Sequence, residues 1–102
     1  MGQNRFKKLS RTKSIFVDID GTLTSRGKLN SVVIEYCRRK KAEGFDIVLW
    51  SARGREYTED IATKFDLVGF FTAIIGKPGY IIDDIGWSWI KNTKHLTLDD
   101  IE

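Results

Sequence analysis

Two short apolar runs, each cut off by polar and glycine residues, constrain the fold of this chain more than any other feature. Residues 14–19 read Ser-Ile-Phe-Val-Asp-Ile and stop at Asp20-Gly21, whereas residues 46–50 read Asp-Ile-Val-Leu-Trp and stop at a turn over 51–54. Brief runs of β-branched and aromatic residues with turn residues at their ends are typical of buried strands. The sequence therefore predicts two buried strands, each followed by a polar loop.

The segment between these two runs has the pattern of an amphipathic helix. Asn30 is suited to cap the start of a helix, and Gly44 is suited to end one. The apolar positions between them recur at a spacing of three and four residues: Val32, Val33, Tyr36 and Cys37. We therefore predict a helix that connects the two strands.

The same alternation continues along the chain. Residues 55–65 carry Tyr57, Ile61 and Phe65 at helical spacing, and short apolar runs follow over 71–75 and 80–82. Alternating strands and helices predict an α/β fold, here a Rossmann-like three-layer sandwich with a central, mainly parallel sheet. In such sheets ligands bind beyond the carboxyl ends of the strands.

Polar side chains with useful chemistry stand at those predicted strand ends. They are Asp18 and Asp20 after the first strand, Ser51 after the second, Lys77 after the third, and Asp83 and Asp84 after the fourth. Carboxylates gathered in one crevice repel one another unless a cation neutralises them, and an oxygen-rich site suits a hard ion such as Mg²⁺. A serine and a lysine beside that ion would hold phosphate oxygens.

These residues, taken in order, resemble the four motifs of the haloacid dehalogenase (HAD) superfamily. The likeness rests on Asp18-Ile19-Asp20-Gly21-Thr22-Leu23, on Ser51, on Lys77-Pro78, and on Asp83-Asp84 after an apolar run. It spans about residues 14 to 90 and implies a HAD-like core. The spacing between motifs leaves no room for a cap domain, as in the small capless phosphatases of phage genomes and polysaccharide synthesis.

The resemblance also implies a role for each residue. Asp18 would be the nucleophile that forms an aspartyl phosphate, and Asp20 would be the general acid and base. Ser51 and Lys77 would bind the phosphate, with Arg53 as a possible further contact. Mg²⁺ would be held by Asp18, the backbone carbonyl of Asp20, and Asp83, with Asp84 either assisting through a water molecule or orienting Lys77. The connection from Lys77 to Asp83 is shorter than is common in this superfamily.

The implied activity is Mg²⁺-dependent hydrolysis of a phosphomonoester such as a sugar phosphate or a nucleotide. Two alternatives stay open: a nucleic-acid 3′-phosphatase that binds the strand through basic and tryptophan side chains, and a non-catalytic phosphate-binding or regulatory module. In this superfamily a site without a cap acts on large substrates or is covered by a neighbouring subunit. We therefore expect a phosphorylated ligand and allow for a homo-oligomer.

Composition agrees with a small intracellular enzyme. The 102 residues suffice for one domain, expected over 14–102, after a basic N-terminal segment over 1–13. Cys37 is the single cysteine, so no intrachain disulfide can form, and no run approaches the ~20 apolar residues of a membrane span. A cytoplasmic location and no membrane partner are expected.

Overall fold

The computed structural model describes residues 10–102, so most of the basic segment predicted over 1–13 lies outside the described residues. Strands and helices alternate along the chain. They are β1 (Ser14–Val17), β2 (Thr24–Ser25), β3 (Lys28–Leu29), α1 (Ser31–Ala42), β4 (Asp46–Ser51), α2 (Arg55–Lys64), β5 (Ala73–Gly76), a 3₁₀ helix (Gly86–Asn92) and α3 (Leu98–Ile101).

The central sheet has the strand order β1-β4-β5, and both pairings are parallel. Val17 lies opposite Leu49, and Ser51 lies opposite Gly76, so the three strands end at the same edge. Helices α1 and α2 form the two crossovers, and β2 and β3 form a separate hairpin after β1. The prediction of an α/β fold with a parallel sheet is confirmed, and no domain is inserted between the described elements.

The packed core lies on one face of the sheet, against α1 and α2. Alternate residues of the strands point to this face, because successive side chains of a strand point to opposite sides. The cluster joins strand and loop residues with helix residues: Val17, Ile19, Ile47 and Leu49 with Val33, Ile34, Cys37, Ala62 and Phe71. On the other face, Phe16 is 46% exposed and its ring packs edge-on against Trp50, with centroids 4.7 Å apart.

Helix α1 begins and ends where its sequence indicates. The side chain of Asn30 accepts a hydrogen bond from the backbone N–H of Val32, which satisfies one of the free donors of the first turn. Gly44, just past the end, has a φ of +95°, a conformation that glycine adopts without steric cost. Arg39, Lys40 and Lys41 lie in the last turn, where the helix dipole favours positive charge.

The fourth strand predicted over 80–82 is not formed, which corrects the sequence interpretation. Tyr80 and Ile82 are almost fully exposed, with relative accessibilities of 96% and 104%. Only three residues separate the end of β5 from Tyr80, and these span at most about 11 Å. A parallel neighbour in the same sheet requires a crossover of about a dozen residues or more, so the chain cannot return here to pair as a parallel strand.

The C-terminal part of the described chain forms short helical segments. Trp87 and Trp89 lie in the 3₁₀ helix, which buries none of its residues, and their ring centroids are 6.0 Å apart. Residues 93–97 form no strand, and α3 follows with a capping box between Thr97 and Asp100. Within residues 10–102, no helix has the length and apolar character needed to cross a bilayer.

Candidate active site

The loop after β1 is held rigidly by two buried side chains. Ile19 and Leu23 are completely buried, and the amide of Leu23 donates to the carbonyl of Asp18 at 3.1 Å. The amide of Thr24 donates to the carbonyl of Ile19, while Gly21, with a φ of +79°, allows the chain to turn. Because apolar residues alternate with Asp18 and Asp20, the loop presents both carboxylates at the sheet edge.

Asp18 forms an ion pair with Lys77, the residue that follows β5. Lys77 Nζ lies 3.3 Å from Asp18 Oδ1, and the two side chains are 37% and 38% exposed. The ammonium group also lies 5.7 Å from the ring centroid of Trp50, within reach of a cation–π interaction. Asp18 and Lys77, predicted to meet from separate strand ends, are therefore in contact, although the strand predicted over 80–82 is not formed.

The backbone around Lys77 is fixed by close packing. Its amide donates to the carbonyl of Ser51 at 2.9 Å, which extends the pairing of β4 with β5 by one residue. A Cβ atom on Gly76 would lie 2.9 Å from the amide nitrogen of Arg55 and 3.1 Å from Gly54. Only glycine permits this approach, so Gly76 allows β5 to pass the start of α2 and deliver Lys77 to the site.

Ser51 lies at the same edge, but its side chain is turned inward. The residue is only 2% exposed, and its Oγ accepts a hydrogen bond from the amide of Arg53 at 3.0 Å. This contact orders the turn between β4 and α2. The predicted phosphate contact by the Ser51 hydroxyl therefore stays a prediction, and in this conformation the hydroxyl serves the turn.

Asp20 has different partners from Asp18. Tyr57, on α2, donates its phenolic O–H to Asp20 Oδ1 at 2.8 Å. Arg53 Nη1 lies 3.6 Å from Asp20 Oδ2, and its guanidinium stacks over the Tyr57 ring at 3.8 Å from the centroid. The three side chains thus form a closed group in which each member contacts the other two, which restricts the rotamers of Asp20.

Tyr57 is the member of this group that sequence reasoning missed. Its helical spacing with Ile61 and Phe65 predicts a place on the apolar face of α2 and no role in the site. Its hydrogen bond to Asp20 raises the pKa of Tyr57 above its usual value, with desolvation adding to the effect. The signal available in the sequence was the phenol itself, since a tyrosine packed beside a core usually finds a partner for its hydroxyl.

Asp83 and Asp84 are not gathered with the first two carboxylates. Asp83 Oδ1 accepts a hydrogen bond from the amide of Ile85 at 2.9 Å, which forms an Asx turn. Over residues 10–102, no group of three or more acidic, histidine or cysteine side chains is arranged to hold a metal. In this structure the carboxylates do not form one group, because the strand that would carry Asp83 to Asp18 is not formed, and the metal roles of Asp83 and Asp84 stay predictions.

A cleft of about 280 Å³ opens beside Asp20. It lies between α2 and the loop and hairpin that follow β1. Its walls include Asp20 and Tyr57 but not Asp18, Ser51 or Lys77. The site thus has two sides, one at the ion pair of Asp18 and Lys77 and one at this cleft, and Asp20 borders the second.

Comparison with protein families agrees with this architecture. Residues 15–102 match the model of the haloacid dehalogenase-like hydrolase family, and this stretch covers the acidic loop, helices α1 to α3 and nearly all of the sheet. The chain belongs to this family, which indicates a hydrolase. Searches against curated proteins and against solved structures gave no match.

Proposed function

We propose that this chain hydrolyses phosphomonoesters, with a sugar phosphate or a nucleotide as substrate, through an intermediate phosphorylated on Asp18. The observation that carries the proposal is that two carboxylates of one loop have different partners. Asp18 contacts the cation of Lys77 at 3.3 Å, whereas Asp20 is held by Tyr57 and Arg53. Two neighbouring carboxylates in different environments suit two different chemical roles.

In the first step, a carboxylate oxygen of Asp18 attacks phosphorus, and the bond from phosphorus to the alkoxide or aryl oxide of the leaving group breaks. Lys77 offsets the negative charge of both the nucleophile and the phosphoryl group, which lowers the repulsion between them. The ammonium group of Lys77 lies near the Trp50 ring, and the backbone amide of Lys77 is hydrogen-bonded to the carbonyl of Ser51. These two contacts hold the ammonium group beside Asp18. Alignment of this kind supplies much of the rate enhancement in phosphoryl transfer.

Asp20 handles the protons of both steps. In its acid form it gives a proton to the departing oxygen; as a carboxylate it then takes a proton from the water that attacks the phosphorylated Asp18. That second step breaks the bond between phosphorus and the Asp18 oxygen and releases inorganic phosphate. Tyr57 and Arg53 hold Asp20 in one orientation during both transfers.

The donor set fits Mg²⁺. Asp18 offers hard carboxylate oxygens on a side chain that is 38% exposed, and the backbone carbonyl of Asp20 would add a further oxygen; Mg²⁺ commonly binds through one or two carboxylates while keeping several waters. When bound, the ion would neutralise charge on the nucleophile and the phosphoryl group. We propose Asp83 as a further ligand, on the condition that its segment is drawn toward Asp18.

A non-catalytic phosphate-binding or regulatory module is the second candidate, and the position of Asp83 favours it. The carboxylate of Asp83 accepts the amide of Ile85, and within residues 10–102 it does not join Asp18 in a metal-binding group, so one predicted metal ligand is not in place. A nucleic-acid 3′-phosphatase remains a variant of the first proposal. Trp87, which is 58% exposed and close to Trp89, would offer a stacking surface to a base.

One screen separates these candidates. Sugar phosphates, nucleotides, an aryl phosphate and 3′-phosphorylated oligonucleotides are incubated with the full chain and Mg²⁺, with Asp18→Asn as the blank and Asp60→Asn as a matched surface control. Release of phosphate by the wild type and by Asp60→Asn, but not by Asp18→Asn, supports the hydrolase. Phosphate release that survives in Asp18→Asn, or equal rates with Ca²⁺ and Mg²⁺, contradicts it, and binding without turnover favours the module.

A further inference from the structure

The cleft beside Asp20 has a lining that the proposed chemistry does not use. Two cations and three apolar or aromatic side chains surround it, supplied by the hairpin of β2 and β3 and by α2. Besides Asp20, these residues are Arg26, Lys64, Tyr57, Ile61 and Phe65. A cleft with positive charge and ring faces suits a ligand that combines an apolar or aromatic body with an anionic group.

Arg26 occupies a backbone position that its residue type does not favour. The two-residue turn between β2 and β3 has positive φ at both central residues, 55° at Arg26 and 75° at Gly27. Such hairpin turns strongly prefer Asn-Gly or Gly-Gly, because a larger side chain in the left-handed region is strained. Asparagine would suit this turn better than arginine. The presence of Arg26 is therefore better explained by its side chain, which lines the cleft, than by the turn.

Lys64 adds a second positive charge from α2. Its ammonium lies 5.4 Å from the ring centroid of Phe65, which also borders the cleft. Neither Lys64 nor Arg26 forms an ion pair with any residue in the described part of the chain. The single carboxylate in the wall, Asp20, is already engaged by Tyr57 and Arg53. The positive charge at the cleft is therefore open to an external anion.

The position of the cleft assigns it to the leaving group. Asp20 borders it, whereas Asp18 and Lys77 do not. If Asp20 protonates the departing oxygen, as proposed above, the leaving group lies beside Asp20. We propose that the cleft binds a leaving group that carries a second anionic group, such as a carboxylate or a further phosphate, on a ring or apolar body. This inference rests on the proposed function for its orientation.

A pair of ligands that differ in one carboxylate tests the proposal without turnover. Benzylphosphonate and 4-carboxybenzylphosphonate are titrated into the wild-type chain with Mg²⁺ at low salt, and the ratio of their dissociation constants is taken. We expect the carboxylate to tighten binding about 5-fold, and the gain to shrink as salt is added. Arg26→Asn with Lys64→Gln should bring the ratio to about one, whereas Lys28→Gln, on the same hairpin but outside the cleft, should preserve it.

The turn provides a control for folding. Arg26→Asn suits the left-handed position and Lys64 is exposed, so the Tm of the double variant should stay close to that of the wild type, and a lost ratio then cannot be attributed to unfolding. A wild-type ratio near one, or an unchanged ratio in the double variant, overturns the proposal. Turnover of phenyl phosphate is measured on the same sample. If the wild type binds the carboxylated phosphonate more tightly but does not turn over phenyl phosphate, only the proposed hydrolysis is refuted. If it turns over phenyl phosphate but binds the two phosphonates equally, only the cleft assignment is refuted.

Discussion

The phenolic oxygen of Tyr57 lies 2.8 Å from Oδ1 of Asp20, although the two residues are 37 positions apart in the chain. One belongs to α2 and the other to the loop after β1, so the bond ties the acidic loop to the helix layer. It leaves the other carboxylate oxygen near Arg53. The pairing limits the directions that Asp20 can take, and it leads to the first prediction.

Tyr57→Phe removes this hydrogen bond and keeps the ring under Arg53. We expect kcat on an alkyl phosphate to fall about 3- to 10-fold, since the bond involves a charged group but is solvent-exposed. On an aryl phosphate with a good leaving group, the loss should be smaller, because little protonation is needed. Tyr36→Phe is the control, as its ring contacts Arg39 and Lys40 of its own helix. Equal losses on both substrates would argue against a positioning role.

Lys77→Gln tests the cation beside Asp18. We expect kcat/KM for an aryl phosphate to fall by about 10²-fold, the usual cost of losing one group that stabilises the transition-state charge. Stability should change little, because partly exposed ion pairs contribute at most about 1 kcal/mol. Lys91→Gln, in the exposed 3₁₀ helix, is the matched control for the change in net charge. A Lys77→Gln chain with normal turnover would remove Lys77 from the proposed mechanism.

Gly76→Ala tests the close approach of β5 to α2. The added Cβ would meet backbone atoms of Arg55 and Gly54 at 2.9 and 3.1 Å, which cannot rotate away. We expect a loss of about 1–3 kcal/mol in the free energy of unfolding, seen as a Tm lower by several degrees. Gly79→Ala is the control, because its Cβ would meet nothing within 4 Å. Similar Tm values for the two variants would show that the contact is not tight.

Cys37 is predicted to be inert in the folded chain. It is 2% exposed, and burial raises the pKa of its thiol from 9.0 to about 11. A disulfide reagent at about pH 8 should therefore react only after unfolding in urea. Because the folded pKa is the higher one, the contribution of this thiol to stability is complete below about pH 9 and is lost as the pH rises through about 11. Cys37→Val should lack that part of the alkaline decline, whereas rapid labelling of the native chain would contradict the burial.

Much of the fold was predictable because local patterns and packing agree. The apolar runs of β1 and β4 and the cap at Asn30 each have a signature in the neighbouring sequence. The run over 80–82 has the composition of a strand, yet the three-residue connection after Gly76 prevents parallel pairing. The length of this connection, which the composition of the run does not reveal, explains why no strand forms there.

For the site, proximity was partly predictable and side-chain direction was not. Parallel strand ends brought Asp18 and Lys77 together as expected from the topology. The inward turn of Ser51 and the bond from Tyr57 to Asp20 depend on how α2 sits against the loop. Contacts of this kind produce no periodic pattern in a single sequence, so they could not be predicted from it.

The most direct test of the account is the identity of the phosphorylated residue. The Asp20→Asn chain is mixed with a small excess of an aryl phosphate and Mg²⁺, quenched in acid, digested and analysed by mass spectrometry. Because Asp20→Asn slows the attack of water more than the attack of Asp18 on this substrate, a phosphoryl group should accumulate on the peptide that contains Asp18. Turnover by the wild type with no label on Asp18, or with the label on another residue, would contradict the central claim.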